Sequence, residues 1–151
     1  MVERSSKPVI LMADDDPDDI MLVRDALKDS RCEVDFRSVN NGDEAMDYLM
    51  RRGLYQDREI SPTPSLILLD LNMPRKDGIQ TLTEIRNNPE IRTIPVVILT
   101  VSRDRDLILR IYKLGGSAFI TKPSIYKDMV RALDSLCVYW FETVSLPREA
   151  G

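Results

Sequence analysis

The sequence predicts a doubly wound α/β domain, a five-stranded parallel sheet with five helices distributed over its two faces. Two observations carry this. Short apolar runs without polar alternation stand at residues 9–13, 66–69 and 94–99, and unbroken runs are the mark of strands buried on both faces, as parallel strands under helices are. Between them lie segments whose apolar residues recur at helical spacing, so that strand and helix alternate five times. At 151 residues the chain is long enough for one such domain with a sizeable core.

The elements follow in order. Residues 1–7 are polar and predicted to be loose. A strand at 9–13 ends in Asp14, Asp15 and Asp16, and Pro17 opens a helix over 17–29. Proline suits a first turn, acids suit that end of the macrodipole, and Ile20, Val23 and Leu27 have core spacing. Residues 33–39 alternate into a second strand with Val34 and Phe36 on one side. Asn40, Asn41 and Gly42 make a turn into a helix striped by Ala45, Met46 and Leu49, ending near residue 52. Residues 53–64 form a polar loop. After the third strand, over 65–70, Pro74 and Gly78 mark an exit loop, and Ile79, Leu82 and Ile85 a third helix. The fourth strand covers 94–99. The fourth helix, over 103–114, stops at Gly115 and Gly116, as a left-handed C-terminal cap would make it. A fifth strand over 117–121 precedes a long last helix over 124–140 and a tail over 141–151.

Composition excludes several classes. Net charge is -4, and no Lys/Arg run exceeds Arg51 and Arg52, whereas a direct nucleic-acid partner calls for clustered basic residues. No apolar stretch approaches the 18 or so residues of a membrane span, and no leader precedes the first strand, so neither membrane nor secretion is expected and the location is expected to be cytoplasmic. Cys32 and Cys137 lie far apart in sequence, and free thiols are expected rather than a disulfide. The chain has no histidine, which removes Ser-His-Asp and Cys-His catalysis and histidine-ligated metals.

The chemistry stands at the strand ends. In sheets of this kind ligands bind outside the carboxyl ends of the strands, and first and third strands are neighbours where the strand order reverses. Asp14 and Asp15 end the first strand, Asp70 the third, Thr100 the fourth and Lys122 the fifth. Taken alone, Asp70 has the alternative of merely capping a helix or bracing a loop. Together, three converging carboxylates repel one another unless a hard divalent cation joins them, and Mg²⁺ takes one or two carboxylates plus a backbone oxygen and waters. A lysine and a hydroxyl beside them suit phosphoryl transfer, with a carboxylate attacking phosphorus in line.

Asp14 and Asp15, the run Leu69, Asp70, Leu71, Asn72, Met73, Pro74 with Asp77 and Gly78, the run Leu99, Thr100, Val101, Ser102, and the run Phe119, Ile120, Thr121, Lys122, Pro123 together resemble the receiver domain of two-component response regulators. The resemblance spans residues 8 to about 137. It implies a flavodoxin-like fold with strand order 2-1-3-4-5, a receiver unit over 8–140 and an extension over 141–151. It implies Asp70 as phosphoacceptor and Asp14, Asp15, Asp70 and the main-chain carbonyl of Asn72 as the Mg²⁺ (or Mn²⁺) site, Asp14 through water. Lys122 then binds the phosphoryl group, its bond to Pro123 is cis, Thr100 is the switch hydroxyl and Phe119 the switch aromatic. Asn72 and Ser102 match positions that tune phosphoryl lifetime. The donor would be a histidine on a sensor kinase, so none is needed here, and the chain would be a self-loading switch rather than an enzyme. The ending over 139–147, with Gly53, Leu54, Tyr55 and Gln56, is similar to single-domain regulators serving bacterial phytochrome kinases.

The last helix carries two apolar stripes, one through Ile125, Met129, Ala132, Leu136 and Trp140, the other through Tyr126, Val130, Leu133, Cys137 and Phe141. That is more than one sheet contact needs. A homodimer face built from the fifth strand, the last helix and the tail, with Tyr126, Val130, Leu133, Cys137, Trp140 and Phe141, is expected; the alternative is a broad core stripe with the tail folded back on its own domain. Output is expected through another, unidentified protein. Among rival functions, a phosphatase of the haloacid dehalogenase type needs a second aspartate where Asn72 stands. A binding-only pseudo-receiver would lack one of the Asp, Lys and Thr signature residues, and none is lacking. A flavodoxin-like cofactor carrier needs a Gly-rich loop after the first strand, where Asp14 to Asp16 stand instead.

Overall fold

A computed structural model describes residues 7–147; the loose segment expected over 1–7 falls outside this range except for Lys7, as does the tail beyond Pro147. Five strands, β1 (Val9–Ala13), β2 (Asp35–Val39), β3 (Leu66–Leu69), β4 (Val96–Thr100) and β5 (Ala118–Thr121), form one parallel sheet in the order β2-β1-β3-β4-β5. The helices are α1 (Pro17–Asp29), α2 (Gly42–Leu49), α3 (Gly78–Asn87), α4 (Arg105–Lys113) and α5 (Tyr126–Cys137). The predicted fold is the observed one.

Alternation within each strand feeds two cores. Leu11, Ala13, Ile67, Leu69, Val96 and Ile98 face α2, α3 and Ile111 of α4, while Ile10, Met12, Leu66, Leu68, Val97 and Leu99 face α1 and α5. In β1, β3 and β4, covered on both faces, no polar residue is tolerated until the strand ends, which is why those runs are unbroken, whereas the edge strand β2 carries Asp35, Arg37 and Ser38. Helix starts are fixed by side chains: Asp16, Asn41, Asp77 and Asp104 accept backbone N–H groups at the ends of α1 to α4, each a contribution of about 1 kcal/mol. Gly115 ends α4 with φ +100°, as the sequence predicts.

Four features depart from the sequence reading. Cys32 and Cys137 are joined by a disulfide, with Cα atoms 5.8 Å apart, within the range such a bond requires. Free thiols were expected because 105 residues separate them, but α1 and α5 share one face of the sheet, and the chain leaving α1 passes the end of α5. The Lys122–Pro123 bond, expected cis, is trans, for no cis peptide occurs among the described residues; the two isomers at an X–Pro bond differ by only about 0.5–1 kcal/mol, so surroundings decide. Helix α5 ends at Cys137 and passes into a π-helical turn, Val138–Thr143, in which Val144 N–H donates to the Tyr139 carbonyl. Finally, α5 has one buried stripe drawn from both expected ones, Met129, Leu133, Leu136 and Cys137.

Candidate functional site

The register of the sheet assembles the site. Ala13 pairs with Leu69, and one residue further Asp70 N–H donates to the Ala13 carbonyl and Asp14 N–H to that of Val39. Asp14 and Asp70 therefore leave neighbouring strands at the same level. Lys122 N–H donates to the Thr100 carbonyl at 2.7 Å, which sets the β5 end at that level too. Continuing the strand alternation puts Asp14, Asp70 and Lys122 on the side of α1 and α5, where their side chains meet.

Lys122 is the hub. Its ammonium donates to Asp14 Oδ2 at 2.9 Å and Asp19 Oδ2 at 2.8 Å, and stands 3.8 Å from Asp70 Oδ1. Asp14 is wholly buried and Asp70 nearly so, 7% exposed. Burial pushes both carboxyls above their ordinary pKa, the Lys122 charge pulling the other way. Burial likewise lowers Lys122, but its bonds to Asp19 and Asp14 outweigh that and hold it above its ordinary value. Both directions hold together because several carboxylates share one ammonium. Backbone N–H groups satisfy what remains, Asp16 donating to Asp14 Oδ1 and Leu71 to Asp70 Oδ1, each at 2.9 Å.

The carboxylate set fits a hard cation. Asp14, Asp15 and Asp70 each offer an oxygen, and the three lie within 4.8 Å of one another; an all-oxygen donor set of this charge suits Mg²⁺ or Mn²⁺. Thr100 is fully buried, and its hydroxyl has no hydrogen-bond partner. Such a group costs about 1–3 kcal/mol, which leaves this hydroxyl free to donate to an oxygen placed beside it.

The β3–α3 loop that carries Asn72 is tightly held. Asp77 caps α3 in a reciprocal box with Gln80, and Lys76 pairs with Glu84 and Asp43. Gly78 packs against the start of this loop: a Cβ there would sit 2.3 Å from the Asp70 carbonyl oxygen, so only glycine lets α3 begin so close to the end of β3. Asn72 is exposed. Ser102 is half-buried, and its carbonyl accepts from Thr121 Oγ1 at 3.0 Å. Phe119 packs at the margin of the α2, α3 and α4 core.

Of the residues expected at a partner face, Leu133 and Cys137 are buried in the chain's own core, whereas Tyr126 is exposed and Val130, Trp140 and Phe141 pack partly against that core. Sequence reading missed Asp19 as a partner of Lys122. It treated the residue as one more acid favouring a helix N-terminus; the signal was the excess of acids from Asp14 to Asp19 facing a single strand-end cation.

Comparison with known proteins agrees with this geometry. The family described as the response regulator receiver domain matches residues 10–134. The chain is 39% identical over 148 residues to response regulator Rcp1 of Synechocystis, covering 97% of this chain and 99% of that one. The crystal structure of the phosphorylated cyanobacterial phytochrome response regulator RcpA superposes with a TM-score of 0.86 at 35% identity, covering 95% of this chain and all of that one. The Mn²⁺-bound form of Rcp1 superposes with a TM-score of 0.82 at 40% identity, over 93% and 99% of the two chains. With the sheet order, the acidic cluster and these matches in hand, the chain belongs to the response regulator receiver domain family.

Proposed function

We propose that the chain is a phosphorylation switch in which Asp70 accepts a phosphoryl group from a histidine of a sensor kinase of the phytochrome kind. The observation that carries this is the buried Asp70 carboxylate with the Lys122 ammonium on one side and the unpartnered Thr100 hydroxyl at the end of the neighbouring strand. Asp14, Asp15, Asp70 and the Asn72 carbonyl would hold Mg²⁺ or Mn²⁺, which when bound supplies positive charge to the phosphoryl oxygens. An Asp70 oxygen attacks phosphorus in line; a P–O bond forms, the P–N bond to the kinase histidine breaks, and its electron pair stays on that nitrogen.

Lys122 then donates to one phosphoryl oxygen and Thr100 to another, which gives the buried hydroxyl its missing partner. Movement of Thr100 opens room for Phe119 to turn inward, and the surface of α4, β5 and α5 changes with it. Asn72, two residues after Asp70, and Ser102, two residues after Thr100, tune how long the acyl phosphate survives. The product stays attached to the chain and is lost by slow self-hydrolysis, so the chain acts as a switch and not as an enzyme on a free substrate. The receiver unit over 8–140 ends in an extension over 141–151.

Light-sensing kinases are favoured because Rcp1 and RcpA match over nearly their full length, and RcpA is a phytochrome response regulator. Homodimerisation through Tyr126, Val130, Trp140 and Phe141 is favoured by the exposure of Ile125, Val138 and Tyr139 beside them, a self-complementary apolar face being what a two-fold interface needs. Output passes through a further protein, and no described helix is long and apolar enough to cross a membrane. The test is transfer from an autophosphorylated phytochrome-type kinase carrying radiolabelled phosphate. The label is expected to pass to this chain and to stay on the kinase with Asp70→Asn; label on Asp70→Asn contradicts the assignment.

A further inference from the structure

The three contacts of Lys122 are unequal in a way that bears on the switch. Its ammonium has three N–H groups. Two are committed, to Asp14 Oδ2 at 2.9 Å and Asp19 Oδ2 at 2.8 Å, and the distance to Asp70 Oδ1, 3.8 Å, is beyond hydrogen-bond reach. The group that should serve the phosphoryl acceptor is thus about 1 Å short of it, drawn towards the first turn of α1. Nothing in the phosphoryl chemistry requires Asp19. It stands in the first turn of α1, after the loop that carries Asp14 and Asp15, and it is not among the three carboxylates that converge on a cation.

We propose that Asp19 is a positioning residue that holds Lys122 away from Asp70 in the resting protein and releases it when a phosphoryl group arrives. The inference rests on Asp70 being the acceptor. The two committed partners differ in how readily they let go. Asp14 is wholly buried, and breaking its bond would strand a carboxylate without water. The Asp19 side chain is 34% exposed, so water takes the place of the lost ammonium at little cost. A dianionic phosphoryl group on Asp70 outcompetes one solvent-shared carboxylate; the ammonium keeps Asp14, gives up Asp19 and reaches a phosphoryl oxygen. The tether sets a threshold. It weakens the phosphorylated state by whatever the Asp19–Lys122 bond contributes to the resting one, and it keeps the lysine from pairing fully with Asp70, which would mask the nucleophile.

The test uses the full chain with Mg²⁺ and beryllium fluoride, a non-covalent mimic of a phosphoryl group on a carboxylate, with affinity followed by fluorine NMR. Asp19→Asn removes the charge that makes the tether strong, Asp19→Ala removes its acceptor altogether, and Asp18→Asn removes the same charge from the same helical turn without touching Lys122. Asp19→Glu restores a carboxylate. Asp19→Asn is expected to bind beryllium fluoride about fivefold more tightly, the scale of a partly exposed ion pair, with Asp18→Asn unchanged and Asp19→Glu near the parent. Asp19→Ala serves as a second variant should Asp19→Asn melt abnormally. The ammonium NMR signal of Lys122 gives a readout free of ligand: it is expected to shift in Asp19→Asn and not in Asp18→Asn. Equal tightening in both Asn variants would reduce the effect to general charge and overturn the proposal. So would unchanged or weaker binding in Asp19→Asn and Asp19→Ala. If the parent protein binds no beryllium fluoride, the acceptor assignment fails, and the proposal with it.

Discussion

Reducing the Cys32–Cys137 bond should lower the melting temperature by a margin set by the length of chain it closes. The two residues are 105 apart in sequence, and in the chain-entropy picture cross-linking a loop near 100 residues restricts the unfolded state by about 4.7 kcal/mol. Residual structure in the unfolded chain and native strain reduce this in practice to about 2–4 kcal/mol. For a domain of this size about 2–4 °C accompanies each kcal/mol, so the expected loss is about 4–16 °C. The bond also anchors the junction of α5 with the Val138–Thr143 turn, alongside the Arg31 N–H that donates to Asp134 Oδ1 at 3.0 Å, so reduction should loosen that end first. The assay is scanning calorimetry of the protein with and without a phosphine reductant, with Cys32→Ser as a reductant-insensitive reference. Equal melting temperatures in the oxidised and reduced states, or two titratable thiols in the denatured but unreduced protein, would refute the reasoning.

Tyr48 should couple stability to alkaline pH. It is 3% exposed, its hydroxyl donates to the Pro62 carbonyl at 2.8 Å, and burial pushes it up to about 12. A folded pKa above the unfolded value near 10 means that this stability is complete below about pH 10 and is lost as pH rises towards 12. Urea denaturation across that window is expected to show the loss, and Tyr48→Phe to lessen the slope without abolishing it, since Tyr55 and Tyr126 are raised as well; an equal slope in the variant would contradict the cause. On the proposed homodimer, Phe141→Gln is expected to weaken self-association about tenfold, the scale of truncating an aromatic anchor; unchanged sedimentation would move the interface elsewhere.

What was legible in the sequence follows from burial. Strands covered on both faces admit no polar residue before their ends, so Asp14, Asp70 and Thr100 stood out against their runs, and the sheet order places Asp14 and Asp70 beside Lys122. Helix starts were equally plain, since Asp16 and Pro17 act locally. The rest depends on contacts between distant segments. Whether Cys32 meets Cys137 is decided by α1 and α5 sharing a face, and the isomer at Pro123 by its surroundings. Leu133 and Cys137 could be assigned to the core or to a partner only once the rotation of α5 on the sheet was known. Asp19 was hidden for the same reason: an acid in a first helical turn is already explained locally, and its bond to Lys122 spans 103 residues.

Whether Asp70 takes a phosphoryl group with help from a divalent cation is read from the intact-protein mass. After incubation with a small acyl phosphate and Mg²⁺, one added phosphoryl group is expected, absent with Asp70→Asn and absent when a chelator removes the metal. An unmodified protein, or the same addition on Asp70→Asn, would contradict that role for Asp70.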